Sequence, residues 1–416
     1  GHSIKRSVKS LILRGMLFEE LGFMYIGPID GHNVRAVRRA IEDARQAGGP
    51  VLIHVITRKG LGYAPAEANP ARFHGTGPFD VRTGEAAPDE RKSFTSHFSD
   101  FMVHAGAADD RVVAITAAMA DGTGLRAFSQ RFPDRFFDVG IAEQHAVTMA
   151  AGMAVGGRRP VVAVYSTFLQ RAYDQALHDV ALGRLPVVFA IDRAGIVGED
   201  GYTHQGSFDV AFMRHIPGMT VMAPKDEAEL YGMLQAALEH QAPCAVRYPR
   251  SAAPGAGVQY PTDPVEMGRA EVMRDGRHCA IFALGPMVYP AVEAGRILSA
   301  RGVSCAVVNA RFVKPLDMSV LTQYASSTGM IITCEDAALP GGLGSAVLEA
   351  LADAGVRDVR VVRLGIPDRF IEHGRRDDIL GELGLDSRGI AAAVLRALSE
   401  QADAKGSGGG VHVSTL

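Results

Sequence analysis

Phe137-Asp138-Val139-Gly140-Ile141-Ala142-Glu143-Gln144-His145-Ala146 decides the architecture. An aromatic strand over 136–139 ends at the turn glycine Gly140, and residues 143–155 continue with helical patterning. The same succession recurs: a strand over 160–165 runs into a helix over 169–182. Further strands are read at 112–116, 186–192, 220–223 and 245–248, after a helix over 94–105. Strand-then-helix alternation predicts an α/β fold, a mostly parallel sheet with helices on both faces. Ligands of such folds sit outside the carboxyl ends of the strands.

Working outward, three segments and a tail are expected. Residues 1–90 hold a helical pattern over 4–21, a strand over 23–26 and a helix over 33–47. They also hold a continuous β-branched strand over 51–57, of the kind buried on both faces of a parallel sheet. From 58 to 90 no period is visible, which marks a linker or a functional loop. Residues 91–262 carry the alternation above. Residues 263–400 form a smaller α/β unit, with strands at 279–284, 304–309, 331–334 and 360–364 and a glycine turn, Gly341-Gly342-Leu343-Gly344. That turn suits either a phosphate cradle or tight helix entry. Residues 401–416, rich in glycine and serine, are expected to be a flexible tail.

The 416 residues exceed what one compact core holds. They are 47% apolar and 21% charged, with a net charge of -3. That balance argues against nucleic-acid and membrane-surface binding. No apolar run is long enough for a membrane span. The four cysteines, Cys244, Cys279, Cys305 and Cys334, form no Cys-x-x-Cys pair. The pattern fits a reducing compartment and predicts a cytoplasmic enzyme without a zinc site.

The chemistry-bearing residues cluster on predicted strand ends. Glu143 opens a helix, where a carboxylate also simply favours the dipole. Then come Tyr165-Ser166-Thr167-Phe168-Leu169-Gln170-Arg171, Ile191-Asp192-Arg193-Ala194-Gly195 and Asp200-Gly201-Tyr202-Thr203-His204-Gln205-Gly206. Phe168 alone reads as core, and Arg171 and Arg250 alone read as surface ion pairs. Their shared position after strands favours binding.

In order, spacing and wording these stretches resemble the 1-deoxy-D-xylulose-5-phosphate synthases of the transketolase superfamily. The resemblance extends back through Gly27-Pro28-Ile29-Asp30-Gly31-His32 and forward through Val246-Arg247-Tyr248-Pro249-Arg250, covering residues 4–398. It implies a transketolase-like fold and thiamine diphosphate as cofactor. It also implies pyruvate and D-glyceraldehyde 3-phosphate as substrates, and a homodimer. Glu143 takes the family position that hydrogen-bonds the cofactor's aminopyrimidine, Phe168 the position that stacks on it, and Ile141 a neighbouring cofactor contact. Lys59 and Tyr63 fall beside the diphosphate. Arg171 and Arg250 match the acceptor-phosphate positions, with Tyr165, Arg193 and Asp200 nearby. His204 and His74 match histidines that move protons, while His32, His145 and His178 are given supporting roles.

The family's Gly-Asp-Gly stretch, whose oxygens with a later asparagine hold Mg2+, has no counterpart in this sequence. Residues 1–90 therefore read as the back part of a diphosphate-binding domain. The metal ligands are expected in an N-terminal part not contained in this sequence, possessed in full by the family or carried on a separate polypeptide. This chain alone is expected to be inactive. A split transketolase, a 2-oxoacid dehydrogenase β-subunit and a non-catalytic partner fragment are the competing readings.

Overall fold

The computed structural model describes residues 16–70, 72–73, 76–85, 92–258, 260 and 262–404. Two compact units divide the chain, residues 1–90 and 91–416.

In the first unit, β1 (Met24–Asp30) and β2 (Val51–Ile56) pair in parallel, with Met24 opposite Val51 and Ile26 opposite Ile53. The register slips between Ile26 and Ile29, where Pro28 has no N–H to give to the ladder. Asn33 caps the helix Val34–Gln46 by accepting the Ala36 amide. The expected double-sided burial of the second strand is not met: Val55 and Ile56 are exposed, and no residue of β2 is fully buried. Among the described residues the short helix Met16–Glu20 and the helix Val34–Gln46 pack on this two-stranded sheet, too little to cover both of its faces. The expected helix over 4–21 lies mostly outside the described residues; its end, Met16–Glu20, is helical.

The second unit contains two sheets. One takes β3 (Val112–Thr116), β4 (Phe136–Asp138), β5 (Arg159–Tyr165), β6 (Val188–Asp192), β7 (Thr220–Met222) and β8 (Cys244–Arg247). The other takes β9 (Glu271–Arg274), β10 (Cys279–Ala283), β11 (Cys305–Asn309), β13 (Met330–Ala338) and β14 (Arg360–Ile366). Between β11 and β13 the short β12 (Phe312–Lys314) leaves its neighbours and pairs antiparallel with β7, so the first sheet runs β12-β7-β8-β6-β5-β3-β4. The second runs β14-β13-β10-β11-β9, with β9 antiparallel. All other pairings are parallel. Strands β3, β6, β10, β11 and β13 are buried end to end, which is why the first four read as mainly apolar runs, while β13 also buries Thr333, Glu335 and Asp336.

Three expectations need correction. Residues 169–182 are not one helix but short α, 3-10 and π turns, Ser166–Leu169 through Ala176–Ala181. Such irregular winding is often found at functional sites. The helix Glu227–Glu239 was unmarked by any period because ten of its residues are buried. Residues 401–404 belong to the helix Ser387–Ala404 rather than to a tail.

Candidate active site

The parallel strands of the first sheet bring their carboxyl ends to one edge. Six buried side-chain polar atoms lack a hydrogen-bond partner among the described residues, and four of them lie there. They are Glu143 Oε2 after β4, Ser166 Oγ after β5, Asp192 Oδ1 at the end of β6 and the Tyr248 hydroxyl after β8. Buried polar groups are otherwise almost always paired. Their concentration marks this edge as built for something else to complete.

Glu143, 3% exposed, is the first residue of the helix Glu143–Val155. Neighbouring Ile141 is 82% exposed. Tyr165 and Phe168 stack with ring centroids 5.6 Å apart, and the His204 ring meets Phe168 edge-on at 5.5 Å. The Arg193 guanidinium lies 3.8 Å over the Tyr165 ring and donates to Gly122 O at 2.6 Å. Arg193 itself sits at φ +58, an uncommon conformation for a residue with a side chain. Burial raises the Tyr165 phenol, against the pull of Arg193, and Asp192, Arg250 and Asp200 also act on it. Arg250 Nη1 donates to Asp200 Oδ2 at 3.1 Å, with both groups exposed. Arg171 is exposed in the turn Gln170–Ala172, which packs against the helix Glu143–Val155.

The sheet thus brings together Tyr165, Phe168, Arg193, Asp200, His204 and Arg250, with Glu143, Ile141 and Arg171 on the same edge. Lys59 and Tyr63 belong to the other unit. There Lys59 is exposed, and Tyr63 packs with Phe73 and Phe79 while its hydroxyl donates to Val81 O. His74 lies outside the described residues. His32 accepts the Arg58 amide at 2.8 Å, a structural bond. Among the described residues no three His, Cys, Asp or Glu side chains gather as a metal would need.

Sequence reasoning passed over Asp192, although it stands beside Arg193 in a quoted stretch. It is fully buried and accepts the Thr95 hydroxyl at 2.8 Å. Its Oδ1 lies 3.1 Å from Arg193 Nη1 but off the N–H direction, so a contact exists without a hydrogen bond. Burial pushes its carboxyl up to about 6, with Arg193 offsetting part of the rise. Glu335 was also missed. It takes the amides of Leu343 and Gly344 at 2.6 and 2.9 Å, so the glycine turn is a helix entry whose donors are spent internally. Burial raises Glu335 to about 7.

Both carboxyls titrate higher folded than unfolded, so the folded state binds more protons. Their contribution to stability is therefore fully present below the unfolded values near 4 and is lost as pH rises toward about 6 for Asp192 and about 7 for Glu335. In Asp192→Asn the fall in unfolding free energy across this window is expected to be smaller than in the unsubstituted chain. Urea unfolding at both ends of the window measures it, and identical slopes would refute the assignment.

Three family profiles match the chain: "1-deoxy-D-xylulose-5-phosphate synthase" over residues 1–57, "Transketolase, pyrimidine binding domain" over 90–256 and "Transketolase, C-terminal domain" over 268–390. The 1-deoxy-D-xylulose-5-phosphate synthase of Desulforudis audaxviator (strain MP104C) is 57% identical over 382 residues, 92% of this chain and 60% of that protein. The 1-deoxy-D-xylulose-5-phosphate synthase 1 of Geobacter sulfurreducens is 55% identical over 94% of this chain and 61% of that protein. The chain belongs to the 1-deoxy-D-xylulose-5-phosphate synthase family of the transketolase superfamily.

This synthase-family chain spans about three fifths of the length of those relatives. A solved structure described as "Split gene transketolase, inactive beta4 tetramer" is 33% identical at TM-score 0.66, covering 74% of this chain and 98% of that one. Transketolase from Campylobacter jejuni shares the fold at TM-score 0.61 and 18% identity, over 92% of this chain and 68% of that one.

Proposed function

We propose that this chain supplies the pyrimidine-side half of a thiamine-diphosphate site. With the rest of a diphosphate-binding domain, it would convert pyruvate and D-glyceraldehyde 3-phosphate to 1-deoxy-D-xylulose 5-phosphate and carbon dioxide. The observation carrying this reading is the unpaired Oε2 of buried Glu143, on the same strand edge as the Tyr165–Phe168 stack, in a chain 57% identical to such a synthase. A buried carboxyl oxygen without a partner costs about 1–3 kcal/mol, and a ligand ring nitrogen that shares a proton with it removes that cost.

When bound, thiamine diphosphate supplies a nucleophilic carbon and an electron sink for decarboxylation. Glu143 would hold it by sharing a proton with its pyrimidine ring, Phe168 by stacking, and Ile141 by apolar contact. Lys59 and Tyr63 are assigned to its diphosphate side. Arg171 and Arg250 bind the acceptor phosphate, since guanidinium forks match phosphate oxygens. Asp200 orients Arg250. Arg193 and Tyr165 wall the site, and His204, with His74, moves protons at the substrate oxygens. Mg2+, a homodimer, a cytoplasmic location and segment boundaries at 90, 262 and 400 complete the proposal; these rest on resemblance and patterning.

A second reading keeps the same chemistry but places the remaining diphosphate-binding portion on a separate polypeptide. The likeness to the split-gene chain favours it. In either case this chain alone is inactive.

The test supplies the N-terminal portion of a relative in trans, with thiamine diphosphate and Mg2+. At a hundredfold excess over Kd the cofactor stabilises the assembly by about 2.7 kcal/mol, and the two substrates yield the sugar phosphate. No thermal shift and no product would sink the proposal.

A further inference from the structure

The loop after β6 carries Asp200 and His204, and its tip is closed by its own turn bonds, from the Gly201 amide to Gly198 O and from the His204 and Gln205 amides to Gly201 O. Its base is closed by mutual amide-to-carbonyl bonds between Gly195 and Gly206, at 2.7 and 2.8 Å. Only glycine fits at 206, where a Cβ would stand 2.1 Å from Arg193 O. Beyond this base, the backbone atoms of 196, 197 and 198 turn to the C-terminal half or to the buried Gln205. Asp336 Oδ1 accepts the Ile196 amide at 2.9 Å. Arg376 holds Asp336 Oδ2 at 2.8 Å through Nη2 and Ile196 O at 3.2 Å through Nε. The Gly374 amide donates to Gly198 O at 3.3 Å. Gln205, 4% exposed, accepts the Val197 amide at 2.7 Å and donates to Glu372 O at 3.2 Å.

The other half of the loop is open: Glu199, Asp200, Tyr202 and Thr203 are exposed. Residues Arg375, Arg376 and Asp377 also line, with Glu199 and Arg250, a cavity of about 600 Å³. The segment 371–377 therefore shares this cavity with Arg250, and its His373 lies against Gly201, the residue after Asp200.

We propose that residues 371–376 are a strap that sets the position of Asp200 and His204, with Gln205 and Arg376 as its positioning residues. The inference rests on the site reading above for Asp200 and His204. Ordering each backbone residue costs conformational entropy. The loop's exposed half is closed by its own turn bonds, whereas charge-assisted bonds anchor its buried half to residues far along the chain. Holding the loop before the acceptor arrives removes the cost from the binding step.

Hydrogen exchange on this chain tests the strap without needing activity. In Arg376→Ala and Gln205→Glu, amides 196–198 are expected to exchange on the order of tenfold faster, while those of β3 and β6 are unchanged. Arg376→Lys keeps the charge facing Asp336 but loses the bond to Ile196 O, so it restores protection in part. Unchanged loop exchange, or an equal rise throughout residues 92–404, would overturn the strap.

The second readout uses the reconstituted enzyme. There the acceptor KM rises and the pyruvate KM does not; the two moving together would mean a merely structural role. Failure of the unsubstituted chain to make product would count against the proposed function, and the exchange result would still decide the strap.

Discussion

Glu143→Gln is expected to abolish turnover of the reconstituted enzyme while leaving the fold as stable as before, or more so. Sharing a proton at the reacting group contributes about 10²–10⁴ in rate. A neutral amide cannot replace a carboxyl in that exchange. Stability moves the other way because Glu143 is 3% exposed and its Oε2 has no partner. Gln keeps the volume, so no cavity opens, and the desolvated charge is gone. The helix loses a favourable first-turn carboxylate, worth about 0.3–1 kcal/mol, which limits the gain. Product formation and the urea midpoint are measured on the same preparations. Near-normal turnover would remove Glu143 from the chemistry, and a large loss of stability would mean that its carboxylate is already satisfied.

Arg247→Ala should produce the largest structural loss. Arg247 is 1% exposed, between the two sheets of the second unit. Its Nε donates to Asp209 Oδ2 at 2.8 Å and its Nη2 to Asp336 O at 2.9 Å. Burial alone would lower its proton affinity, but Asp209 outweighs that and holds the guanidinium charged. Truncation strands Asp209, itself 1% exposed, and costs about 3–5 kcal/mol. Replacing both partners, Arg247→Met with Asp209→Leu, is expected to recover most of that loss. No charge then remains buried without a partner. A double-mutant cycle by urea unfolding measures the coupling. If Arg247→Ala costs less than 1 kcal/mol, the pair does not hold the sheets together.

The two variants separate what holds the edge from what works there. Glu143, which we propose serves the chemistry, leaves a buried oxygen unpaired, whereas Arg247, one residue before the unpaired Tyr248, is paired on both sides and serves the fold. Placing the site at a parallel strand edge requires such investment nearby. Each residue that faces inward to meet a ligand leaves a polar atom for which the chain supplies no partner.

Most strands and the helix from Glu143 were legible in the sequence, whereas the broken winding over 166–181 and the buried helix Glu227–Glu239 were not. Gly140 after an aromatic strand, and the helical pattern from Glu143, are short-range signals that tertiary context had no reason to override. The strand ends at Tyr165 and Asp192 follow from apolar runs bounded by turn residues, and those at Asp138 and Arg247 were read one residue too late. Only the tertiary structure decided what holds those ends in register. Asp336 and Arg376 meet the loop at Ile196 from 140 and 180 positions away, and no periodicity announces such a partner. β12 joins the first sheet although its neighbours in sequence belong to the second, because pairing is chosen by the open edge of β7. The glycine turn at 341–344 was ambiguous for the same reason. Whether its amides await an anion depends on Glu335, a side chain on the preceding strand that reaches them only once the chain has folded.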